Sequence, residues 1–139
     1  MAQTVKDVMT SDPIVLPPDT PVAEAAKRMR ANDVGNVLVV EGEKLRGIVT
    51  DRDIVVRVLG DDRDPQTTPV GDIATTTMTT LRPSDPVSKA VKTMRDTAVR
   101  RLPVVDHDRP VGIVALGDLA TERDAKSALA GISAAAPNT

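Results

Sequence analysis

The sequence predicts an α/β (α+β) fold built from two tandem β-α-β-β-α repeats packed about a pseudo-twofold axis. Residues 5–54 and 70–119 carry one pattern twice, at a constant offset of 65 with no gap, and 18 of the 50 aligned pairs are identical. Within each copy the apolar period changes from strand-like to helix-like and back. A polar, breaker-rich run separates the copies. Tandem copies imply that neither buries its apolar face alone, and a twofold seam between them would offer two related clefts for a ligand.

In the first copy Ile14-Val15-Leu16 is a short apolar strand followed by Pro17-Pro18-Asp19. Thr20-Pro21 opens a helix, with a hydroxyl at the N-cap and proline at the first helical position. Val22, Ala25, Ala26 and Met29 fall at i, i+3, i+4 and i+7, one face of that helix. Asn36 to Val40 and Leu45 to Thr50 form a hairpin around Glu41-Gly42-Glu43-Lys44, and a second helix runs from about Asp51 to Leu59. The second copy repeats this order. Thr79 to Leu81 is its strand, and Asp85-Pro86 opens a helix with Val87, Ala90, Val91 and Met94 inward. A hairpin turns at His107-Asp108-Arg109, and a last helix runs from Gly117 to about Ala130. The repeats thus span residues 1–62 and 70–130, with a linker at 63–69 and a disordered tail at 131–139.

Composition excludes several functions. There is no cysteine, so disulfides, thiolate nucleophiles and thiolate metal sites are out. The formal net charge of −2 argues against a phosphate-neutralising nucleic-acid binder. No Phe, Trp or Tyr is present to stack on a base. No apolar run approaches the ~20 residues of a membrane span, and the first residues lack the apolar stretch of a signal peptide. The expectation is one cytoplasmic protein without nucleic-acid or membrane partners. His107, the one histidine, lies in a turn and suits solvent better than a metal. Asp61-Asp62-Arg63-Asp64 is an acidic cluster in the linker, and no nucleophile–base–orienter set suggests an enzyme.

Val8-Met9-Thr10 near the start, the apolar strands Leu38-Val39-Val40 and Leu102-Pro103-Val104-Val105-Asp106, and Gly-Ile-Val before a helix in each copy form an ordered set. This set resembles a pair of CBS domains, the family named after cystathionine β-synthase, over residues 4 to about 124. Two such copies make a Bateman module, here similar to the stand-alone bacterial type. The resemblance implies a regulatory module without catalysis that senses an adenine nucleotide or related adenosyl ligand: AMP, ATP, NAD or S-adenosylmethionine. No cofactor is required. It also implies a flat, disc-like homodimer, read by a protein partner that the sequence does not name.

Gly47-Ile48-Val49-Thr50-Asp51-Arg52-Asp53 resembles the family's nucleotide motif. A strand would deliver Thr50 to the mouth of a helix, where unpaired backbone N–H groups favour a phosphate. By the resemblance, Thr50 would bind phosphate and Asp53 both ribose hydroxyls. Thr50-Asp51-Arg52-Asp53 also fits a capping box, which needs no ligand. In the second copy Asp118 remains while Ala115 replaces the hydroxyl, and a capping box does not account for an aspartate paired with alanine, although an acidic residue in a first helical turn is common without a ligand. That comparison favours the ligand reading. Arg100 and Arg101 stand where the first copy has Gly35 and Asn36. Arg101 matches a family phosphate contact, and a guanidinium fork suits phosphate, although both arginines could instead pair with Asp106 or Asp108. One cleft is expected to be competent and the other weak, in either order. The adenine slot would be Ile14 and Val15 with Val37, or Thr79 and Thr80 with Leu102, each of which also reads as ordinary core. Aliphatic contacts alone point to micromolar affinity. The alternative is a ligand-free homodimeric protein-interaction module.

Overall fold

The computed structural model describes residues 3–123, so the expected tail and the far end of the last helix lie outside the described residues. The chain runs through α1 (Val5–Val8), β1 (Thr10–Ser11), β2 (Val15–Leu16), α2 (Val22–Asn32), β3 (Asn36–Glu41) and β4 (Lys44–Thr50). Then come α3 (Asp51–Ile54), which passes into a π-helical turn (Val55–Leu59), and α4 (Val70–Ile73). α5 (Val87–Thr97), β5 (Arg101–Asp106), β6 (Arg109–Ala115) and α6 (Leu116–Arg123) complete the order. The helices accompany two three-stranded mixed or antiparallel sheets, ordered β2-β3-β4 and β1-β6-β5.

The chain divides into two compact units, and the division does not follow the sequence repeat. Pro13–Met78 forms one unit, while the described residues up to Asp12 join those from Thr79 to Arg123 to form the other. The first eight or so residues of each copy therefore complete the core of the other copy. In the first unit Val70 and Ile73 of α4 are buried with Leu16, Val22, Ala25, Met29, Val39 and Val58. In the second, Val5 of α1 is buried with Leu81, Ala90, Met94, Val104, Val114 and Leu119. Both cores are aliphatic, as a chain without aromatic residues requires.

The same backbone bonds hold both crossing segments. Val70 N–H donates to the Thr20 carbonyl (2.7 Å) and Gly71 N–H to Pro18 (2.9 Å). Sixty-five residues earlier Val5 N–H donates to Asp85 (2.8 Å) and Lys6 N–H to Pro83 (3.0 Å). In return each segment caps a long helix. Val22 N–H, the first of α2, donates to the Thr68 carbonyl (2.8 Å), and Val87 N–H, the first of α5, to Gln3 (3.1 Å). Ala23 N–H adds a bond to Pro65 (2.9 Å). Helix starts leave such N–H groups without intrahelical acceptors, and here main-chain carbonyls supply them. Thr20 is accordingly not the N-cap expected: Pro21 holds that place with extended backbone and no side-chain bond. The run at 63–69 is a packed cap as well as a connection. Its Thr68 is buried, with Oγ1 donating to the Asp64 carbonyl (2.7 Å).

Glycine permits the second anchor. Ile48 N–H donates to the Thr75 carbonyl (3.1 Å) and Thr75 N–H to the Ile48 carbonyl (2.9 Å). A Cβ on the adjacent Gly47 would lie 2.9 Å from the Thr75 oxygen and 3.0 Å from the Ala74 Cβ. In the other unit Thr10 pairs with Ile113 and Ser11 with Gly112, where a Cβ would meet the Thr10 oxygen at 2.9 Å. The Gly-Ile-Val signature thus has a packing role: it admits the crossing segment onto the sheet edge.

One expected strand is reduced. β2 pairs in parallel with β3 through Leu38 N–H donating to the Ile14 carbonyl (2.8 Å). Its counterpart Pro103 has no N–H to donate, so Thr79 to Leu81 keeps one parallel bridge, Leu81 to Val104. Leu81 N–H still donates to the Pro103 carbonyl (2.9 Å), and Val105 N–H to Leu81 (2.8 Å). The second hairpin turns through His107 and Asp108, both at positive φ (53° and 69°), where the first uses Gly42 (66°). His107 Nδ1 lies 2.8 Å from Asp106 Oδ1.

Gly47→Ala is expected to lower stability by about 1–3 kcal/mol, the range for overpacking a filled site. Urea unfolding of the variant checks this, and an unchanged midpoint would show that Thr75 does not lie against β4.

Candidate functional site

Each unit carries a strand-to-helix corner at equivalent positions. In the first, β4 delivers Thr50 to the start of α3, and β3 places Asn36 directly across the ladder from Thr50. In the second, β6 delivers Ala115 to the start of α6, with Arg101 of β5 directly across from it. Cross-strand partners share a sheet face. Arg101, Ala115 and Asp118 are therefore neighbours, as are Asn36, Thr50 and Asp53. Thr50, Asp53, Arg101 and Asp118 are all half-buried.

The Thr50–Asp53 pair forms a reciprocal capping box. Thr50 N–H donates to Asp53 Oδ2 (2.8 Å), and Asp53 N–H donates to Thr50 Oγ1 (3.2 Å). The neighbouring N–H groups are also engaged. Asp51 N–H donates to the Gly35 carbonyl (2.9 Å), and Arg52 N–H to Asp51 Oδ1 (2.8 Å). The unpaired N–H groups expected for a phosphate at this corner are therefore already satisfied within the chain. What remains is side-chain chemistry: the Thr50 O–H proton is unused by the box, and Asp53 Oδ1 faces Arg57 Nε at 3.9 Å.

The comparison of copies that favoured a ligand at Asp118 is corrected by the same geometry. Asp118 Oδ2 accepts from Ala115 N–H (3.0 Å), the half of a capping box that uses only the N-cap backbone. Alanine can supply that N–H as well as threonine. Thr4–Asp7 at the start of α1 makes the full box, with Thr4 N–H to Asp7 Oδ2 at 3.0 Å. An aspartate three residues past the N-cap recurs in this chain as a helix-start device.

The remaining candidates separate. Val37 and Leu102 lie in the two cores at 0% and 2% exposure. Ile14 is half-buried against the first core, while Val15 is exposed beside it. Thr79 is exposed and Thr80 half-buried. Arg100 is exposed, and its carbonyl accepts from Leu116 N–H (2.8 Å), as Gly35 does from Asp51. Two residues went unmarked in the sequence. Asn36 stands at the position of Arg101 and was legible from the offset of 65. Arg57 lies one helical turn beyond Asp53, the spacing at which a carboxylate and a guanidinium meet on a helix. Among the described residues no group of three His, Cys, Asp or Glu side chains comes together as a metal site.

If Asp118 is a cap, Asp118→Ala should lower stability by about 1 kcal/mol, the net value of one hydrogen bond. Asp118→Asn, which keeps an acceptor oxygen, should cost less. Thermal denaturation of the two variants decides it, and equal losses would remove the cap.

The family model for the CBS domain matches residues 5–60 and 70–125. The CBS domain-containing protein YhcV of Bacillus subtilis is 41% identical over 134 residues, covering 94% of this chain and 95% of that protein. The crystal structure of Hypoxic Response Protein I with two coordinated zinc ions aligns at 30% identity with a TM-score of 0.77, over 85% of this chain and 97% of that one. The CBS domain pair of protein MJ0100, in complex with 5-methylthioadenosine and S-adenosyl-L-methionine, aligns at 27% identity with a TM-score of 0.82. That match covers 91% of this chain and all of the other. No helix among the described residues is long and apolar enough to cross a membrane. Repeat, fold and motif order agree: the chain belongs to the CBS domain family and is a CBS domain pair, a regulatory module.

Proposed function

We propose that this module senses an adenosyl ligand (AMP, ATP, NAD or S-adenosylmethionine) and passes the signal on through a conformational change read by a protein partner. The observation that carries the reading is the Thr50–Asp53 corner. Asp53 keeps Oδ1 outside the capping box, facing Arg57 Nε at 3.9 Å, and the Thr50 hydroxyl proton has no acceptor within that box. A carboxylate oxygen and a hydroxyl donor at one helix start are the groups that suit a ribose edge and its neighbouring polar group. The two adenosyl compounds held by the MJ0100 pair support this class of ligand. With the adjacent main-chain N–H groups engaged, the first corner suits the nucleoside part better than a phosphate. Arg101 gives the second corner a guanidinium, so a phosphorylated ligand fits better there. The reading includes no catalytic step.

Calorimetric titration of AMP and S-adenosylmethionine tests the reading. Binding should be micromolar and should weaken roughly tenfold or more in Asp53→Asn, which loses a charged acceptor but keeps an oxygen for the cap. Because the chain has no Trp, Tyr or Cys, a purine carried through purification would dominate the ultraviolet spectrum near 260 nm. Flat titrations and a blank spectrum would sink the sensor.

A homodimer belongs to the same proposal, and one observation favours it. Val55, Val56 and Leu59 on the π-helical turn are 58%, 50% and 58% exposed, an apolar group of the kind that marks contact surfaces. Leu59→Asp should convert a dimer to a monomer in sedimentation velocity, and a monomeric parent protein would refute the assignment.

A further inference from the structure

Asp53 divides its carboxylate between two neighbours. Oδ2 is held by Thr50 N–H at 2.8 Å, while Oδ1 faces Arg57 Nε at 3.9 Å. The same guanidinium donates through Nη1 to the Ile73 carbonyl at 3.1 Å, at the end of α4. One side chain thus reaches from the candidate ligand carboxylate to the crossing segment. A guanidinium can do this because its donors are spread over a rigid plane, whereas a lysine ammonium offers one point. Asp53 is the more sheltered partner, its side chain 15% exposed against 49% for Arg57.

The far end of this link is a junction in the chain. After Ile73, Ala74 N–H donates to the Val70 carbonyl (3.0 Å) and Thr75 N–H to Ile48 (2.9 Å). Residues 74–78 then lead to Thr79, where the chain passes from one compact unit into the other. In the repeat Glu122 stands at the position of Arg57, so the sequence does not write this guanidinium a second time.

We propose that Arg57 is a positioning residue coupling the Asp53 carboxylate to the Val70–Ile73 helix. A group that engages Asp53 from outside weakens its hold on Arg57, and Arg57 in turn loosens its hold on Ile73. Ligand occupancy at Asp53 is thereby converted into mobility of the segment that joins the two units. The coupling rests on the proposed function only for the identity of the engaging group.

Amide hydrogen exchange at Ala74 and Thr75, followed by nuclear magnetic resonance on the full chain without ligand, tests the link. Asp53→Asn removes the charge but leaves an oxygen for Thr50 N–H, and Arg57→Met removes the bridge. Each should speed exchange at both amides about two- to five-fold, as expected for a partly exposed ion pair. The double variant should go no further than either single one. Asp118→Asn should leave both amides unchanged. Faster exchange in Arg57→Met but not in Asp53→Asn would reduce Arg57 to a plain cap on Ile73 and overturn the coupling, as would no change in either. Saturating AMP should speed the same amides in the parent protein and not in Arg57→Met, and unchanged or slower exchange in the parent would also overturn it. Flat titrations of both AMP and S-adenosylmethionine would sink the ligand reading alone, and the Asp53→Asn comparison made without ligand still decides the coupling.

Discussion

The structure depends on one close approach: a crossing segment lying against the edge of a sheet at a residue with no side chain. At Gly47 the segment is Ala74-Thr75, and at Gly112 it is Met9-Thr10. From that approach follow the main-chain bonds of Thr75 to Ile48, the burial of Val70 and Ile73, and the carbonyl caps on α2 and α5. The two sites repeat each other at the sequence offset, so the constraint acts once per unit. It also covers the outer edges of β4 and β6, which would otherwise present unpaired N–H and C=O groups.

The periodic parts of the fold were legible in the sequence. α2, α5 and both hairpins followed directly from spacing, because amphipathic faces and β-branched runs are written in side chains. The crossing segments were not legible. α1, β1 and α4 span only two to four residues each, too few for a period, and their work is done by the carbonyls of Gln3 and Thr68, which carry no residue signature. Pro103 was a readable clue that strand pairing would falter at Thr79, since a missing N–H is a property of the residue itself. At the site, the positions of Thr50, Asp53, Arg101 and Asp118 followed from the repeat. The bonding of Asp118 did not, because its donor is the Ala115 backbone and the side chain at 115 is irrelevant to it.

The two corners have diverged in complementary ways. The first keeps the hydroxyl and sets a neutral Asn36 across the ladder, with Arg57 one turn beyond Asp53. The second gives up the hydroxyl and sets Arg101 across the ladder instead. The shared scaffold of strand, glycine and capped helix start is retained in both, and the side chains around it differ in charge. A duplicated architecture has thus kept its backbone bonds and changed the chemistry at the positions those bonds leave open.

The division of the chain also sets an order of assembly. Pro13–Met78 is continuous, so every residue of its core is present as soon as residue 78 has been synthesised. The other unit has to wait, because Val5 of its core is made first while Leu119 comes more than a hundred residues later. Until then the leading arm, with Val5, Val8 and Met9, has no sheet to complete. Its pairing with β6 joins residues about a hundred positions apart in the sequence, the kind of long-range contact that slows folding. A core shared between the two ends of a chain is thus available only once nearly all of that chain exists.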